Sequence, residues 1–308
     1  MSQLSVVIVS WNTRDLLVQC LESVYADQQA PEFEVWVVDN GSSDGSLELV
    51  RQRFPQTQVV ANDDNLGFAR ANNQALGQIS SPFALLLNSD AVLPSNAIVK
   101  LLACMSEHPQ AAAVGPLYLN ADGSFQASYG NFPTLATELL LLTGLARWLL
   151  GLHYPSQPVA DMHQPRLVDW VPGACLLVRM QAMRHVGLLD EGYFFYSEEV
   201  DWCYRLRQQG WQVWFVPTVA VTHHLSQSAR LASQARLRNL YAGKMRFFSK
   251  HYGPWPALWL KCGLLASLWL RAAAALLRVP PGAQARESWH MYLDLADNLR
   301  REPTRFLA

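Results

Sequence analysis

The segment at residues 83–90 constrains the fold of this chain more than any other stretch. Five residues, Phe83 to Leu87, form an apolar run that ends abruptly in Asn88, Ser89 and Asp90. An apolar run this short is typical of a strand buried on both faces, as in parallel sheets. Open α/β sheets bind their ligands at the carboxyl ends of the strands. The pattern therefore predicts that Asp90 lies at the binding edge of a sheet.

Three more stretches in the first ninety residues end a short apolar run in polar residues. The first run leads into Ser10 and Asn12, the second into Asp39 and a Gly/Ser-rich turn, and the third into a polar cluster that reaches Asn65. Apolar residues at helical spacing follow each run. Repeated strand–helix units of this size imply a parallel sheet with right-handed crossovers, so we expect an α/β fold whose sheet edge is a binding site.

Past residue 115 the strand–helix pattern weakens and then resumes. A strand at residues 173–179, an acidic cluster at 196–201 that opens a helix, and a strand at 213–216 follow in order. From about residue 229 onward the pattern is helical. The chain is therefore predicted to consist of one α/β body followed by a helical C-terminal region.

Composition and the first residues narrow the class of protein. The chain has 24 basic and 25 acidic residues and no basic block, so no nucleic-acid partner is expected. Its five cysteines show no C-x-x-C spacing, which is typical of reduced core thiols in a cytosolic protein. The first residues lead straight into a strand, so no signal peptide is expected.

The most apolar part of the C-terminal region is at residues 257–277, and it contains Lys261 and Arg271. It has the roughly 20 residues that a membrane-spanning helix needs. Two cations near a bilayer centre would cost about 2.5–3.5 kcal/mol each. The chain also has 11 tryptophans, a residue that favours the border between apolar and polar surroundings. We therefore favour a helix that lies on the membrane surface, with a buried packing helix as the alternative.

Six motifs occur in a fixed order along residues 4–250. They are, in chain order, SVVIVSWNTRDLLVQCLESV, VVDNGSSDGS, NLGFARANNQAL, LLLNSDAVL, GACLLVR and FFYSEEVDWCYRLRQQGW. Each motif is weak alone, but six of them at this spacing are highly specific. Together they resemble the family 2 glycosyltransferases of the GT-A fold, in particular the bacterial rhamnosyltransferase-like branch.

This resemblance implies a GT-A fold, with a Rossmann-like, mostly parallel sheet flanked by helices. It implies transfer of a sugar with inversion from a nucleotide diphosphate sugar to an acceptor hydroxyl, with Mg²⁺ or Mn²⁺ as cofactor. The branch suggests a dTDP- or UDP-sugar, with dTDP-rhamnose favoured, and a glycan or lipid-linked acceptor. It also suggests a cytoplasmic protein bound peripherally to the inner face of the cytoplasmic membrane.

The resemblance also divides the chain. It places the transferase domain at residues 1–228, with a nucleotide-sugar half at 1–115 and an acceptor half at 116–228. The helical and apolar C-terminal region then occupies residues 229–308.

The resemblance gives donor-side roles to the ends of the first two strands. Asp39 matches the aspartate that recognises the base, where a carboxylate can accept the imide N–H of uracil or thymine. Ser10 and Asn12 lie where the family holds the nucleoside, largely through its backbone. Asp44, in the following turn, has two open interpretations, a ligand contact and a helix cap.

A second donor-side group matches the loop before the third helix. It contains Asn65, Gly67 and Arg70. Glycine at position 67 would let the backbone approach a phosphate, and Arg70 would pair with the diphosphate. A solvated position on the helix surface is the alternative for Arg70.

Asp90 and His223 are the candidate metal ligands. Asp90 closes the segment that matches the D-x-D motif of the family, whereas Asn88 stands in place of the first acid and would contact ribose or diphosphate oxygens. A capped turn is the alternative for this segment. His223 matches the histidine of an H-x-x-G-x-S segment, in which Ser226 replaces the glycine. A hydrogen-bonded histidine at a strand end is its alternative.

The acidic cluster supplies the candidate catalytic base. An inverting transfer needs a carboxylate that takes the proton of the attacking hydroxyl. Glu199 aligns with that base and Glu198 is the second candidate, although acids in a first helical turn are also favoured by the helix dipole alone. On the acceptor side stand Asp190, Asp201 and Trp202, each with a structural alternative: a turn cap, an ion pair and core packing.

Two other functions compete with a glycosyltransferase. A sugar-phosphate nucleotidyltransferase would need a glycine-rich N-terminal loop, and the loop SWNTRD has no glycine. A degenerate domain that binds nucleotide or membrane without turnover would fit Asn88 and Ser226, but it would not need the acids at positions 39, 90, 198 and 199.

Overall fold

The computed structural model describes residues 2–27, 29–151, 156, 164–224, 233–276 and 283–301. These residues contain ten strands and eleven helices. The strands are β1 (Leu4–Ser10), β2 (Phe33–Asn40), β3 (Gln58–Asn62), β4 (Phe83–Asn88), β5 (Ala91–Val92), β6 (Ala111–Leu119), β7 (Phe125–Gln126), β8 (Arg166–Val168), β9 (Cys175–Arg179) and β10 (Gln212–His223).

The helices alternate with the early strands and then dominate the C-terminal part. They are α1 (Arg14–Tyr25), α2 (Ser46–Arg53), α3 (Phe68–Leu76), α4 (Ala97–Glu107), α5 (Leu135–Thr143), α6 (Ala146–Leu149), α7 (Met180–Val186), α8 (Glu198–Gln208), α9 (Ser233–Tyr252), α10 (Pro254–Leu276) and α11 (Ala283–Arg301).

All ten strands form one sheet, with the order β3-β2-β1-β4-β9-β6-β10-β5 and with β7 and β8 at the side of β6 and β10. Strands β1 to β4 are mutually parallel, and β9 is antiparallel to both of its neighbours, β4 and β6. Strands β6 and β10 therefore run in the same direction as β1 to β4. The predicted α/β fold with a Rossmann-like sheet is confirmed.

Burial explains why the apolar runs form the centre of this sheet. The side chains of β1 and β4 are almost entirely removed from water, with Ile8, Leu85 and Leu86 fully buried. Helices α1 and α4 contribute Leu21 and Leu101 to the same core. Because both faces of the central strands are covered, polar side chains are displaced to the strand ends.

A short connection shapes the carboxyl edge of the sheet. Only Ser89 and Asp90 link β4 to β5, and β5 pairs with the end of β10, where Ala91 lies opposite His223. Three peptide units reach at most about 11 Å. The end of β10 must therefore lie close to the end of β4, although β9 and β6 separate these two strands in the sheet order.

The chain separates into two compact units. The first comprises residues 1–132, 155–194 and 198–227 and contains the sheet. The second comprises residues 133–154, 195–197 and 228–308.

Within the second unit, α10 packs against α5, α9 and α11. Lys244 of α9 forms an ion pair with the buried Glu138 of α5. Gly263 of α10 makes room for the side chain of Leu139.

Helix α10 has two apolar faces. One face, which includes Leu260, Leu264 and Leu268, is buried within the second unit. The opposite face exposes large apolar side chains to solvent: Trp255, Leu258, Trp259, Trp269 and Leu270. Among the described residues, α10 is the one helix that is long and apolar enough to cross a membrane, judged by length and composition.

Candidate active site at the carboxyl edge of the sheet

The strand register brings three predicted site residues side by side. Ser10 of β1 lies opposite Asp39 of β2, and Val9 lies opposite Asn88 of β4. These strands are parallel, so all three polar residues lie at the same edge of the sheet. The edge predicted from the sequence pattern is therefore present in the fold.

Buried hydroxyl groups connect the ends of β1 and β4. The Oγ atom of Ser10 is 2.9 Å from Oγ1 of Thr13, which donates a hydrogen bond to Oγ of Ser89 at 2.8 Å. Sequence reasoning missed Thr13, because a threonine ahead of a helix resembles an ordinary helix cap. Asn12 has a positive φ of 52°. Its Oδ1 accepts the Ser43 N–H at 2.8 Å, which links the end of β1 to the turn after β2.

Asp39 is buried, and its two carboxylate oxygens differ in their hydrogen-bond partners. Its Oδ2 accepts the backbone N–H of Ser42 at 3.0 Å. Its Oδ1 is also buried, and it has no hydrogen-bond partner among the described residues. A buried acceptor without a partner is costly, and a ligand N–H at this point would remove that cost. The carboxylate is therefore suited to an imide N–H.

Asp44 acts as a cap in the turn before α2. Its Oδ1 accepts the N–H and the O–H of Ser46, and its Oδ2 accepts the N–H of Arg14. Burial raises the pKa of Asp44, but these hydrogen bonds outweigh burial and hold the pKa below its usual value. One oxygen is thus occupied by this turn and the other by the start of α1.

The predicted donor-side loop is held by contacts within the protein. Oδ1 of Asn65 accepts the Gly67 N–H at 3.0 Å and an Asn40 N–H at 3.2 Å. A Cβ atom on Gly67 would overlap the carbonyl oxygen of Phe194. The close backbone neighbour of Gly67 is thus Phe194, where the sequence suggested a phosphate.

Arg70 lies on the solvated side of α3. Its side chain is 61% exposed and its nearest carboxylate is Glu191, with Nε and Oε2 4.0 Å apart. An exposed pair at this distance contributes little free energy. The structure thus favours the solvated alternative that the sequence left open for Arg70.

Asn88, Asp90 and His223 meet in one cluster. Nε2 of His223 lies 3.2 Å from Oδ1 of Asp90 and 3.2 Å from Nδ2 of Asn88. On the other side of the ring, Nδ1 lies 2.7 Å from Oε1 of Gln126. The Gln126 amide NH₂ donates to Oδ1 of Asn120 at 2.9 Å, which fixes its oxygen towards the ring.

This arrangement fits a divalent cation. Oε1 of Gln126 can only accept, so Nδ1 donates to it, and Nε2 lies towards a carboxylate oxygen of Asp90 and the Asn88 amide. Two acceptors that face each other can be bridged by a cation, and a second hydrogen bond from Nδ1 is usual for a metal-binding histidine. No group of three His, Cys, Asp or Glu residues lies together in the described part of the chain. The remaining ligands would be substrate oxygens and water, as is common for Mg²⁺.

Gln126 was missed by sequence reasoning. It lies in β7, a strand of two residues, and nothing in its local sequence distinguishes it. Residues 225–228, which complete the H-x-x-G-x-S match, lie outside the described residues, and the expectation for Ser226 falls there.

Glu198 and Glu199 begin α8 and differ in burial. Glu198 is 4% exposed, and its Oε2 has no hydrogen-bond partner in the described part of the chain. Burial, followed by the neighbouring Glu199 carboxylate, raises the pKa of Glu198 well above its usual value. Glu199 is only partly buried. The pair can therefore hold one neutral and one ionised carboxyl group, as in other acid pairs.

Glu199 lies beside the Asn88 end of the sheet. Its Cβ would be 4.0 Å from a Cβ placed on Gly173. The next residue, Ala174, accepts the backbone N–H of Asn88 at 2.9 Å. Glu199 therefore lies at the same carboxyl edge as Asn88 and Asp39. It lies beside β4, and Asp39 is on β2, two strands away in the sheet.

The three acceptor-side candidates have structural partners. Trp202 is fully buried and donates its indole N–H to the carbonyl of Gly187 at 3.2 Å, so no ring face is left for a sugar. Asp201 is also fully buried and forms a 2.8 Å ion pair with Arg205 of the same helix. Asp190 accepts a hydrogen bond from the N–H of Gly192 and caps a turn. Of the two interpretations that the sequence left open for Trp202, the full burial of its ring favours core packing.

Comparisons with known proteins agree with this geometry. A family model described as "Glycosyltransferase like family 2" matches residues 2–242. The N-acetylglucosaminyl-diphospho-decaprenol L-rhamnosyltransferase of Mycobacterium tuberculosis is 31% identical over 287 residues, which cover 87% of this chain and 91% of that protein. The rhamnosyltransferase WbbL of Escherichia coli K12 is 24% identical over 73% of this chain and 84% of that protein.

A solved structure shares the fold at low sequence identity. The mannosyltransferase PcManGT from Pyrobaculum calidifontis, in complex with GDP-Man and Mn²⁺, superposes with a TM-score of 0.58 at 17% identity and covers 98% of this chain and 88% of that chain. The matched family model spans most of the chain, and the expected GT-A fold is confirmed. The chain belongs to the glycosyltransferase-like family 2 and is a glycosyltransferase.

Proposed function

We propose that this enzyme transfers rhamnose, with inversion, from dTDP-rhamnose or a related dTDP- or UDP-sugar to a hydroxyl group of a lipid-linked glycan. One observation carries the proposal: the buried Asp39, whose Oδ1 has no partner among the described residues, and a second carboxylate, Glu199, share one sheet edge on either side of Asn88. The named relatives support rhamnose and a prenyl-diphosphate acceptor. The division into a donor half at residues 1–115 and an acceptor half at 116–228 is part of this proposal.

The proposed chemistry assigns one task to each group at the edge. Asp39 binds the imide N–H of the base through Oδ1. Glu199 accepts the proton of the attacking acceptor hydroxyl, so that this oxygen forms the new bond at the anomeric carbon while the nucleotide diphosphate leaves. General base assistance of this kind typically contributes about 10²–10⁴ in rate.

Asp90 and His223 are the residues that would hold a divalent cation, Mg²⁺ or Mn²⁺. Such a cation would neutralise charge on the leaving diphosphate. Asn88, which adds no charge, would hydrogen-bond ribose or diphosphate oxygens. Gln126 holds the His223 ring so that Nε2 faces the site.

The membrane surface is the proposed location, through the exposed face of α10. At about 100° per residue, the exposed tryptophans and leucines of α10 lie within about 60° of Trp255 around the helix. On the same wheel Lys261 and Arg271 lie about 120° or more away from Trp255. The face is thus apolar and free of cations, as expected for a helix lying in the interface plane.

Packing within the second unit favours this orientation over a spanning helix. Lys261 donates a hydrogen bond to the Arg300 carbonyl of α11 at 2.9 Å. Helix α11 is polar, with the sequence AQARESWHMYLDLADNLRR. A spanning α10 would draw these charged groups into the bilayer, at several kcal/mol of cost. We therefore propose peripheral binding at the inner, cytoplasmic face of the membrane, where the lipid-linked acceptor would be available.

The donor and cofactor proposals can be tested by nucleotide release. With a GlcNAc-diphospho-prenol acceptor and Mn²⁺, we expect dTDP release from dTDP-rhamnose that depends on the acceptor and stops on addition of EDTA. Asp90→Asn should raise the Mn²⁺ concentration needed for half-maximal rate at least tenfold. Asp122→Asn, at an exposed turn, is the matched control. No release from any dTDP-, UDP- or GDP-sugar, together with no metal-dependent nucleotide binding, would contradict the proposal.

The two glutamates should respond differently to the same substitution. Glu199→Gln removes the proposed base, so kcat should fall by about 10²–10⁴ with donor affinity nearly unchanged. Glu198→Gln replaces a carboxyl group whose raised pKa favours its neutral form, so kcat should stay within a few-fold of wild type. Steady-state kinetics and donor titration check both variants. Full activity of Glu199→Gln with loss of activity in Glu198→Gln would reverse the assignment.

The same pair predicts a pH dependence of stability. The pKa of Glu198 is raised in the folded state, so wild type loses stability as the pH rises above about 4.3, the pKa of glutamate in an unfolded chain. Glu198→Gln does not titrate at this position. Its melting temperature relative to wild type should therefore increase between pH 5 and pH 8, whereas a constant difference would argue against a buried neutral carboxyl group.

Membrane binding should depend on the exposed face of α10. The triple variant Trp255→Ser, Trp259→Ser, Trp269→Ser should lose co-sedimentation with phospholipid vesicles, because it removes three exposed aromatic side chains. Leu167→Ser, which removes an exposed apolar side chain from the first unit, is the control and should bind like wild type. A full-length wild-type protein that does not sediment with vesicles would refute the proposed location.

A further inference from the structure

Gly67 immediately precedes α3. Its backbone conformation and the space around it admit only glycine. Its φ is +82°, in the left-handed region that favours glycine. A Cβ at this position would overlap the Phe194 carbonyl oxygen and lie 2.9 Å from Cδ2 of the same residue. The Phe68 N–H donates to this carbonyl at 2.9 Å. The start of α3 is thus hydrogen-bonded directly to the backbone of Phe194.

The same glycine is tied to the strand end that carries Asp39. Asn40, the next residue on β2, is buried and donates its amide N–H to the Gly67 carbonyl at 3.3 Å and to Oδ1 of Asn65 at 3.2 Å. Its Oδ1 accepts the Leu66 N–H at 3.4 Å. Hydrogen bonds from one asparagine therefore fix the loop to the end of β2.

Beyond Phe194 the chain reaches the acidic pair within a few residues. Tyr196 and Ser197 have φ values of 76° and 75°, and Glu198 follows immediately. Left-handed backbone at residues with side chains costs free energy and persists only where its surroundings hold it. Only residues 195–197 separate Phe194 from the start of α8, so the position of Phe194 limits where α8 can begin.

We propose that Gly67 is a positioning residue that couples nucleotide recognition at Asp39 to the placement of Glu199. The route runs from Asp39 to its neighbour Asn40, through the Asn65–Gly67 loop, and across to the Phe194 backbone. A nucleotide that binds Asp39 stabilises the end of β2. Through the Asn65–Gly67 loop it thereby stabilises the position of the Phe194 backbone. This inference rests on the proposed role of Glu199 as the base.

A matched pair of glycines allows a controlled test. Gly187 has nearly the backbone angles of Gly67, with a φ of 85° and a ψ of 164° against 82° and 175°, but a Cβ on Gly187 would meet only the end of the Arg205 side chain, at 3.7 Å. Gly67→Ala should lower kcat for sugar transfer at least tenfold, with the donor KM within about twofold of wild type. Gly187→Ala carries a similar backbone strain and should keep kcat within about twofold. Both variants should lower the melting temperature.

Hydrogen exchange provides a readout that does not depend on activity. In the full-length wild type, dTDP with Mn²⁺ should slow amide exchange in a peptide that covers residues 193–200. The same nucleotide should slow it in Gly187→Ala and leave it unchanged in Gly67→Ala, although isothermal titration still detects nucleotide binding by that variant.

Three results would overturn the coupling. The first is equal loss of kcat in both glycine variants, which would mean backbone strain alone. The second is weaker donor binding with unchanged kcat in Gly67→Ala, which would make Gly67 a donor contact. The third is exchange in residues 193–200 of wild type that nucleotide does not alter. If wild type transfers no sugar but the exchange pattern appears, the coupling stands and the proposed function fails.

Discussion

The two-residue connection between β4 and β5 is the constraint on which the site depends. Burial fixes β4 in the centre of the sheet, and the pairing of β5 with β10 fixes the other end of the connection. Ser89 and Asp90 have no freedom to leave this edge. Asp90 is consequently held against His223, and Asn88 is held beside Ala174, the residue that precedes β9. A longer loop would leave these groups independent of one another.

Differences in burial then separate carboxyl groups that look alike in the sequence. Asp39 is buried and has one oxygen without a partner, so it suits a ligand N–H. Glu198 is buried beside another acid, which favours its neutral form, while Glu199 is more accessible to water. Asp201 is buried too, but Arg205 compensates its charge. The proposed donor contact, the proposed base and a structural ion pair thus arise from the same type of group.

The sequence predicted the strands and their polar ends well, because an apolar run buried on both faces is a local property. It placed Asp39, Asn88 and Asp90 at the correct edge for the same reason. The neighbours of those residues were harder to predict. Gly67 looked like a phosphate contact because its partner, Phe194, is distant in sequence, and Gln126 has no local signal at all. The burial of Trp202 was one of two open interpretations, since helical spacing does not reveal which side of α8 faces the core.

The central claim is a single displacement at the anomeric carbon, with Glu199 as the base, and its most direct test is the configuration of the product. The enzyme would be incubated with dTDP-rhamnose, Mn²⁺ and a GlcNAc-diphospho-prenol acceptor, and the anomeric configuration of the new linkage would be determined by NMR. The account predicts a configuration opposite to that of the donor. A product that retains the donor configuration would contradict it, because retention requires a second displacement or a different kind of transition state.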